Sequence, residues 1–224
     1  MRERPTLVVF DLGGVIVRIC RTWAEACVAA GLPVRGDESI MGEAAMAARR
    51  ACAEAYQTGR IGCEEFFRQL SATTHGLYSP EEVRRIHDAW LLGEYDGVNA
   101  LVRTLREGRA ATAVLSNTNR AHWSRLAPPA HLPADEFPTP RLVDHLHASH
   151  LLGLSKPGPA IYEEFERRVR AAGWEGRAEQ ILFFDDLPEN VDAARSRGWQ
   201  AEAIDHAGDT AAQMAAHLGA RGVL

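Results

Sequence analysis

Three apolar runs in this chain of 224 residues end on reactive side chains, and a fourth stretch carries its only lysine. Leu7 to Phe10 runs into Asp11, with Gly13 and Gly14 close behind. Ala111 to Leu115 runs into Ser116 and Asn117, and Ile181 to Phe184 into Asp185 and Asp186. Lys156 heads a Lys-Pro-Gly-Pro stretch. Carboxylates suit a hard divalent cation, while a hydroxyl, backbone N–H groups and an ammonium suit an anion. A phosphate beside a cation uses both sets, and an aspartate can attack phosphorus to form an aspartyl-phosphate. Each fragment also has an ordinary structural reading: Asp11 and Asp185-Asp186 as helix caps, Ser116-Asn117 as a turn, Lys156 as a solvated surface residue. Their joint occurrence at the ends of successive apolar runs favours a site.

Positioning these groups requires strands that share one edge. Short continuous apolar runs bounded by turn residues read as strands buried on both faces, so Leu7 to Phe10, Ala111 to Leu115 and Ile181 to Phe184 are predicted strands. His145 to Ser149 and Ala201 to Ile204 are two more. Between them lie predicted helices over Val98 to Glu107, from the Lys156 stretch to about Ala172, over Pro188 to Arg197 and over Gly208 to Leu218. Residues 127 to 140 hold five prolines and read as loop. Strands alternating with helices imply a parallel sheet with helices on both faces, its ligand site at the strands' carboxyl ends. Gly13 and Gly14 let the backbone turn sharply and approach whatever Asp11 holds.

Residues 18 to 95 follow another pattern. Thr22 to Ala30, Met41 to Tyr56 and Glu64 to Thr73 read as helices, and Ser79-Pro80 caps a fourth that runs to about Leu92. No convincing strand lies between residues 37 and 95. The expected fold is therefore α/β: a Rossmann-like core of residues 1–17 and 96–224, with an all-helical insert over 18–95 after the first strand. An insert there can close over the site and exclude water.

Apolar residues make up 46% of the chain and charged residues 25%, ordinary values for a soluble globular protein. A formal charge of −5 argues against nucleic acid as the main partner. No apolar run reaches the length of a membrane span, and the N-terminal apolar stretch is too short for a signal peptide. Cys20, Cys27, Cys52 and Cys63 form no CxxC pair and are expected to be reduced thiols in a cytoplasmic protein.

Taken together, the segments FDLGGV, LSNTN, SKPGPAIY and FFDDLPEN resemble, in order and spacing, the four motifs of the haloacid dehalogenase-like hydrolases. The likeness covers residues 6 to 19 and 97 to about 205, and the insert lies where that family carries its cap. It implies a magnesium-dependent phosphatase with Asp11 as nucleophile. Asp11, the Gly13 carbonyl and Asp186 would ligate the metal, with Asp185 and Asn190 supporting its water shell from nearby. Ser116 and Lys156 would bind the phosphoryl oxygens, with Asn117 beside them. Lys156 would also offset repulsion between Asp11 and the phosphate. Within the family, the sequence most resembles sugar-phosphate phosphatases of the alpha-D-glucose-1-phosphate type. The dehalogenase branch fits less well, because it uses no metal and does not pair two aspartates in the fourth motif.

One position departs from the family pattern. Its phosphatases usually carry an acid–base aspartate two residues after the nucleophile, and here that residue is Gly13. General acid–base help is typically worth about 10²–10⁴-fold. Either the leaving group departs with less help, or another group or a water on the ion supplies the proton, or turnover is slow or lost. The expected function is hydrolysis of a small phosphorylated metabolite, a sugar phosphate among the candidates. The alternatives are a transferase or mutase using the same intermediate, and a binding protein with weak turnover. Other residues carry weaker expectations. His145, His147 and His150 suggest a zinc site, but only His145 and His147 would share a strand face, and no clear third ligand lies at ordinary spacing. Phe66, Phe67 and Trp90 read as packing inside the insert. Tyr56 and Arg60, at the break near Gly59, are candidates for a specificity loop. Arg120 and His122 follow the second motif and suit either substrate contact or the surface.

Overall fold

The computed structural model describes residues 3–36, 43–108 and 110–224. In chain order the strands are β1 (Leu7–Phe10), β2 (Val17–Ile19), β3 (Leu91–Glu94), β4 (Ala111–Ser116), β5 (His145–Ala148), β6 (Ile181–Asp185) and β7 (Gln200–Ala203). The helices are α1 (Trp23–Ala29), α2 (Glu43–Gln57), α3 (Cys63–Ala72), α4 (Pro80–Asp88), α5 (Val98–Glu107), α6 (Arg120–Leu126), α7 (Ser149–Leu152), α8 (Pro159–Ala171), α9 (Pro188–Ser196) and α10 (Thr210–Gly219).

Five strands form a parallel sheet in the order β5-β4-β1-β6-β7, with β1 in the middle. All four residues of β1 are fully buried, as a strand covered on both faces requires. Its side chains alternate between two apolar clusters. Val8 and Phe10 pack with residues of α5 and α10 such as Leu105 and Leu218. Leu7 and Val9 pack on the other face with Ile161 and Phe165 of α8 and Val191 of α9. Helices thus cover both faces of the sheet, an α/β architecture of the Rossmann-like kind.

Helices α1 to α4 contribute to a third cluster, which includes Cys27, Tyr56, Phe66, Phe67 and Ile86. α4 begins with a capping box: Ser79 accepts from the Glu82 N–H while Glu82 accepts from the Ser79 N–H, and Pro80 follows at the first helical position. The first two residues of the helix expected from Met41 lie outside the described residues.

The expectation that no strand interrupts residues 37 to 95 is corrected here. α4 ends at Asp88, and Leu91–Glu94 pairs antiparallel with β2, Arg18 opposite Gly93. The sequence Leu-Leu-Gly-Glu offers neither alternation nor β-branched residues, and Gly93 adopts a left-handed φ of 116°. Its strand character comes from a partner more than seventy residues away in the chain. The ribbon forms a neck where the chain leaves the core and returns, closed by Tyr95 N–H donating to the Ile16 carbonyl at 2.9 Å. α6 also went unforeseen. Asn119 caps it by accepting from the His122 N–H at 3.1 Å. The helices beyond the neck rest on the core through the Ser149 hydroxyl, which donates to the Gln57 carbonyl at 2.6 Å.

Candidate active site

Strand register assembles the site. Phe10 pairs with Val114 on one side and with Phe184 on the other. The next residues, Asp11 and Asp185, therefore stand side by side, with the Asp11 N–H donating to the Phe184 carbonyl at 2.9 Å. Ser116 ends β4 on the same edge, buried to 2% exposure. Lys156, from the loop before α8, reaches in behind them. Its Nζ lies 3.0 Å from Oδ1 of Asp11 and 2.6 Å from Oδ2 of Asp185, and donates to the Leu115 carbonyl at 2.8 Å.

Asp185 is saturated. Besides Lys156, it accepts from the Leu187 N–H at 2.9 Å and from Nδ2 of Asn190 at 3.0 Å and 3.1 Å. Asn117 spends its side chain on the Lys156 backbone, accepting from the N–H at 2.9 Å and donating to the carbonyl at 2.8 Å. It fixes the lysine's entry into the site. Asp186 faces a different cation. Nη1 of Arg21, just beyond β2, donates to Oδ2 of Asp186 at 2.6 Å. Nothing in the sequence marked Arg21, because the pair joins residues that only the folded neck brings together.

Burial pushes the Asp11 carboxyl up to about 6, and Asp185 adds to the rise while Lys156 opposes it. Burial also acts against the charge on Lys156, but Asp11 and Asp185 overcome it and hold the ammonium above its usual range. Lys156 is thus a permanent cation.

Oxygens of Asp11, Asp185 and Asp186 lie within 4.8 Å of one another, a group that could hold a metal ion. Two observations fit a dication here. Three carboxylates face two cations, Lys156 and Arg21, leaving an excess of negative charge. Oδ1 of Asp11 is buried with no well-aligned hydrogen bond. Gly14, with a φ of 81°, lets the Arg21–Asp186 pair lie against the backbone, since an added Cβ would stand 2.4 Å from both Nη2 of Arg21 and Oδ2 of Asp186. Of the two glycines singled out in the sequence, Gly14 is the one with a left-handed backbone. Gly13 sits beside the site, bridged to Val17.

The histidines do not assemble into a metal site. His145 and His147 stack at 6.5 Å on β5, while His150 lies against Trp123. Among the described residues the acidic trio is the one group of His, Cys, Asp and Glu able to hold an ion. Arg120 is exposed, and His122 is buried against His87. Arg60 pairs with Glu54 at 3.1 Å, away from the cavity that Tyr56 lines. Phe66 and Trp90 do both jobs, packing in the insert and lining that cavity. The cavity descends to Leu12, Gly13, Ser116 and Asn117, next to the acidic floor.

Comparison with known proteins identifies the family and the fold. The family model described as "haloacid dehalogenase-like hydrolase" matches residues 5–198, and the chain belongs to that family. Among solved structures, a predicted HAD-like family hydrolase from Porphyromonas gingivalis is similar at a TM-score of 0.73 and 24% identity, over 96% of this chain and 98% of that one. The HAD family enzyme bt-2542 from Bacteroides thetaiotaomicron, in complex with magnesium and inorganic phosphate, matches at a TM-score of 0.65 and 20% identity, covering 92% of this chain and 96% of its own. At such identities these likenesses establish the fold. Phosphatase MT3486 of Mycobacterium tuberculosis is 32% identical over 69 residues, which span 31% of this chain and 30% of that protein's length.

Proposed function

We propose that this hydrolase is a magnesium-dependent phosphatase of a small phosphorylated metabolite, acting in the cytoplasm. The observation that carries the reading is the meeting of Asp11, Asp185 and Asp186 with Lys156 on one sheet edge. Asp11, the Gly13 carbonyl and Asp186 would hold the ion, and Asp185 and Asn190 would brace it. Magnesium, when bound, neutralises charge on the transferring phosphoryl group. Ser116 and Lys156 bind phosphoryl oxygens, and Asn117 steadies the lysine. Asp11 attacks phosphorus, the alcohol leaves, and water then cleaves the aspartyl-phosphate. Residues 18–95 act as a cap that closes over core residues 1–17 and 96–224. The magnesium–phosphate complex of bt-2542 and the phosphatase name of the mycobacterial relative support this reading. So do four free cysteines, which suit a reducing compartment, and no described helix is long and apolar enough to cross a membrane.

A second reading, a binding protein with little turnover, draws on Gly13. An added Cβ there would stand 3.0 Å from Cδ1 of Ile19, so an alkyl group crowds the place where the usual acid–base aspartate would begin. Phosphate release over a metabolite panel, with and without magnesium, separates the two. The phosphatase reading expects release that needs magnesium and falls on the order of 10⁴-fold or more in Asp11→Asn. Full activity in that variant would remove Asp11 as nucleophile, whereas magnesium and phosphate binding with no release from any substrate would favour the binding protein.

A further inference from the structure

The cavity beside the acidic floor has a volume of about 490 Å³. Much of its wall is apolar: Trp23, Tyr56, Phe66, Leu70, Trp90 and Leu126. The wall is also stiff. Tyr56 stacks on Phe66 with ring centroids 4.2 Å apart, and its hydroxyl accepts from the Ala121 N–H at 3.3 Å. A sugar needs a polar partner for each hydroxyl it buries, and beyond Gln57, Thr118 and Asn119 this wall supplies few. A flat apolar body fills it without that penalty.

One cation interrupts the apolar wall. Arg49 of α2 lines the cavity, and its Nη2 is buried with no hydrogen-bond partner. Nε donates weakly to the Thr73 hydroxyl at 3.4 Å, and the guanidinium lies 5.8 Å from the Trp23 ring centroid. Among the described residues no carboxylate pairs with it. A buried guanidinium N–H without an acceptor is costly, and a bound carboxylate would relieve it.

The chain also supplies little acid to a departing oxygen. Gly13 has no side chain, and Ile19 occupies the space beside it. The wall's two histidines, His87 and His122, stack at 3.9 Å. Burial pushes both below the ordinary imidazole range, His122 to about 3, so both are neutral near pH 7. A leaving oxygen that gains no proton must be a weak base when it departs.

We propose that this site takes the phosphate monoester of an acidic hydroxyl, a phenol or an enol, on a flat apolar body that carries a carboxylate for Arg49. The inference rests on the phosphatase reading and names its substrate class. In the first step a carboxylate oxygen of Asp11 bonds to phosphorus as the ester P–O bond breaks. The bonding pair leaves on the phenolate or enolate oxygen, which takes its proton from water. A second water then hydrolyses the aspartyl-phosphate, releasing inorganic phosphate and restoring the Asp11 carboxylate.

The test compares kcat/KM of the magnesium-loaded full chain for meta-carboxyphenyl phosphate, phenyl phosphate, hexyl phosphate and a hexose phosphate. The carboxyphenyl ester should exceed phenyl phosphate by about tenfold, and phenyl phosphate should exceed hexyl phosphate by at least as much. Arg49→Gln should bring the carboxyphenyl-to-phenyl ratio within about twofold of unity. Because that ratio is taken within one variant, a partly misfolded preparation does not distort it. A hexose phosphate matching the aryl esters, or a ratio unmoved by Arg49→Gln, overturns this inference alone. Release from none of the four substrates overturns this inference, and the phosphatase reading falls with it when the metabolite panel also yields no phosphate.

Discussion

The floor of the cleft and its wall are built to opposite rules. On the floor, charges hold one another. Lys156 bridges Asp11 and Asp185, Asn190 donates to Asp185, and Arg21 pairs with Asp186. On the wall, aromatic rings hold one another, and the arginine among them lacks a carboxylate partner among the described residues. The floor comes from strand ends whose register is set by hydrogen bonds, so its geometry is tightly determined. The wall comes mostly from helices that side-chain packing locates, with isolated hydrogen bonds such as that from Ser149 to Gln57. A reaction needs the first kind of precision, and discrimination between substrates needs the second kind of shape. Substitutions on the floor should therefore alter stability, metal affinity and kcat, while substitutions on the wall should alter selectivity.

The largest effect should come from Lys156→Met. It leaves Asp11 and Asp185 buried without their shared cation, a loss of about 3–5 kcal/mol when a buried pair is broken. Urea unfolding measures the stability, and single-turnover kinetics should show phosphoryl transfer slowed by at least about 10²-fold. A variant that stayed as stable and as fast would mean the floor is not held by its charges. Gly14→Ala comes next. The added methyl would meet Asp186 at 2.4 Å on a backbone with a left-handed φ. Magnesium affinity by calorimetric titration should fall at least about tenfold, and unchanged affinity would remove Asp186 from the ion's surroundings.

A smaller effect, of opposite sign, is expected where the neck meets the floor. On the proposed metal site Arg21 would compete with a dication for Asp186, and its side chain is 28% exposed, so the pair is partly screened. Arg21→Ala should raise magnesium affinity by roughly two- to fivefold. Weaker binding would instead make Arg21 a support of the site.

The slightest effect belongs to the wall. His87 and His122 are held neutral by burial, so the unfolded chain binds more protons than the folded one once pH drops below about 6.5. Stability they contribute is present above that pH and is lost as pH falls toward about 3, the value for His122. Thermal melts between pH 7 and pH 5 should show a falling Tm, with a shallower slope in His122→Asn. Equal slopes would mean that His122 is not held neutral in the folded state.

Legibility in the sequence followed the range of the forces involved. β1, β4 and β6 were readable because strands buried on both faces must be continuously apolar, and α5 was readable down to its ends from its amphipathic spacing and Gly108. β3 reads in the sequence as the end of a helix because its pairing with β2 is invisible locally. The residues of the floor were visible as polar clusters at strand ends. The Arg21–Asp186 pair and the lone Arg49 were not, since an arginine among twenty-four shows nothing of its partners until the chain folds.

By itself the sequence determined the kinds of groups available: which strands are buried, which acids end them, and that position 13 lacks an acid. Those are properties of residues and their near neighbours, which composition and periodicity express directly. Only the tertiary structure decided that Asp11 stands level with Asp185, that Ile19 fills the space beside Gly13, and that Arg49 looks into an aromatic cavity. Those facts depend on register and on packing between segments far apart in the chain, where a shift of one residue would turn every side chain to the other face.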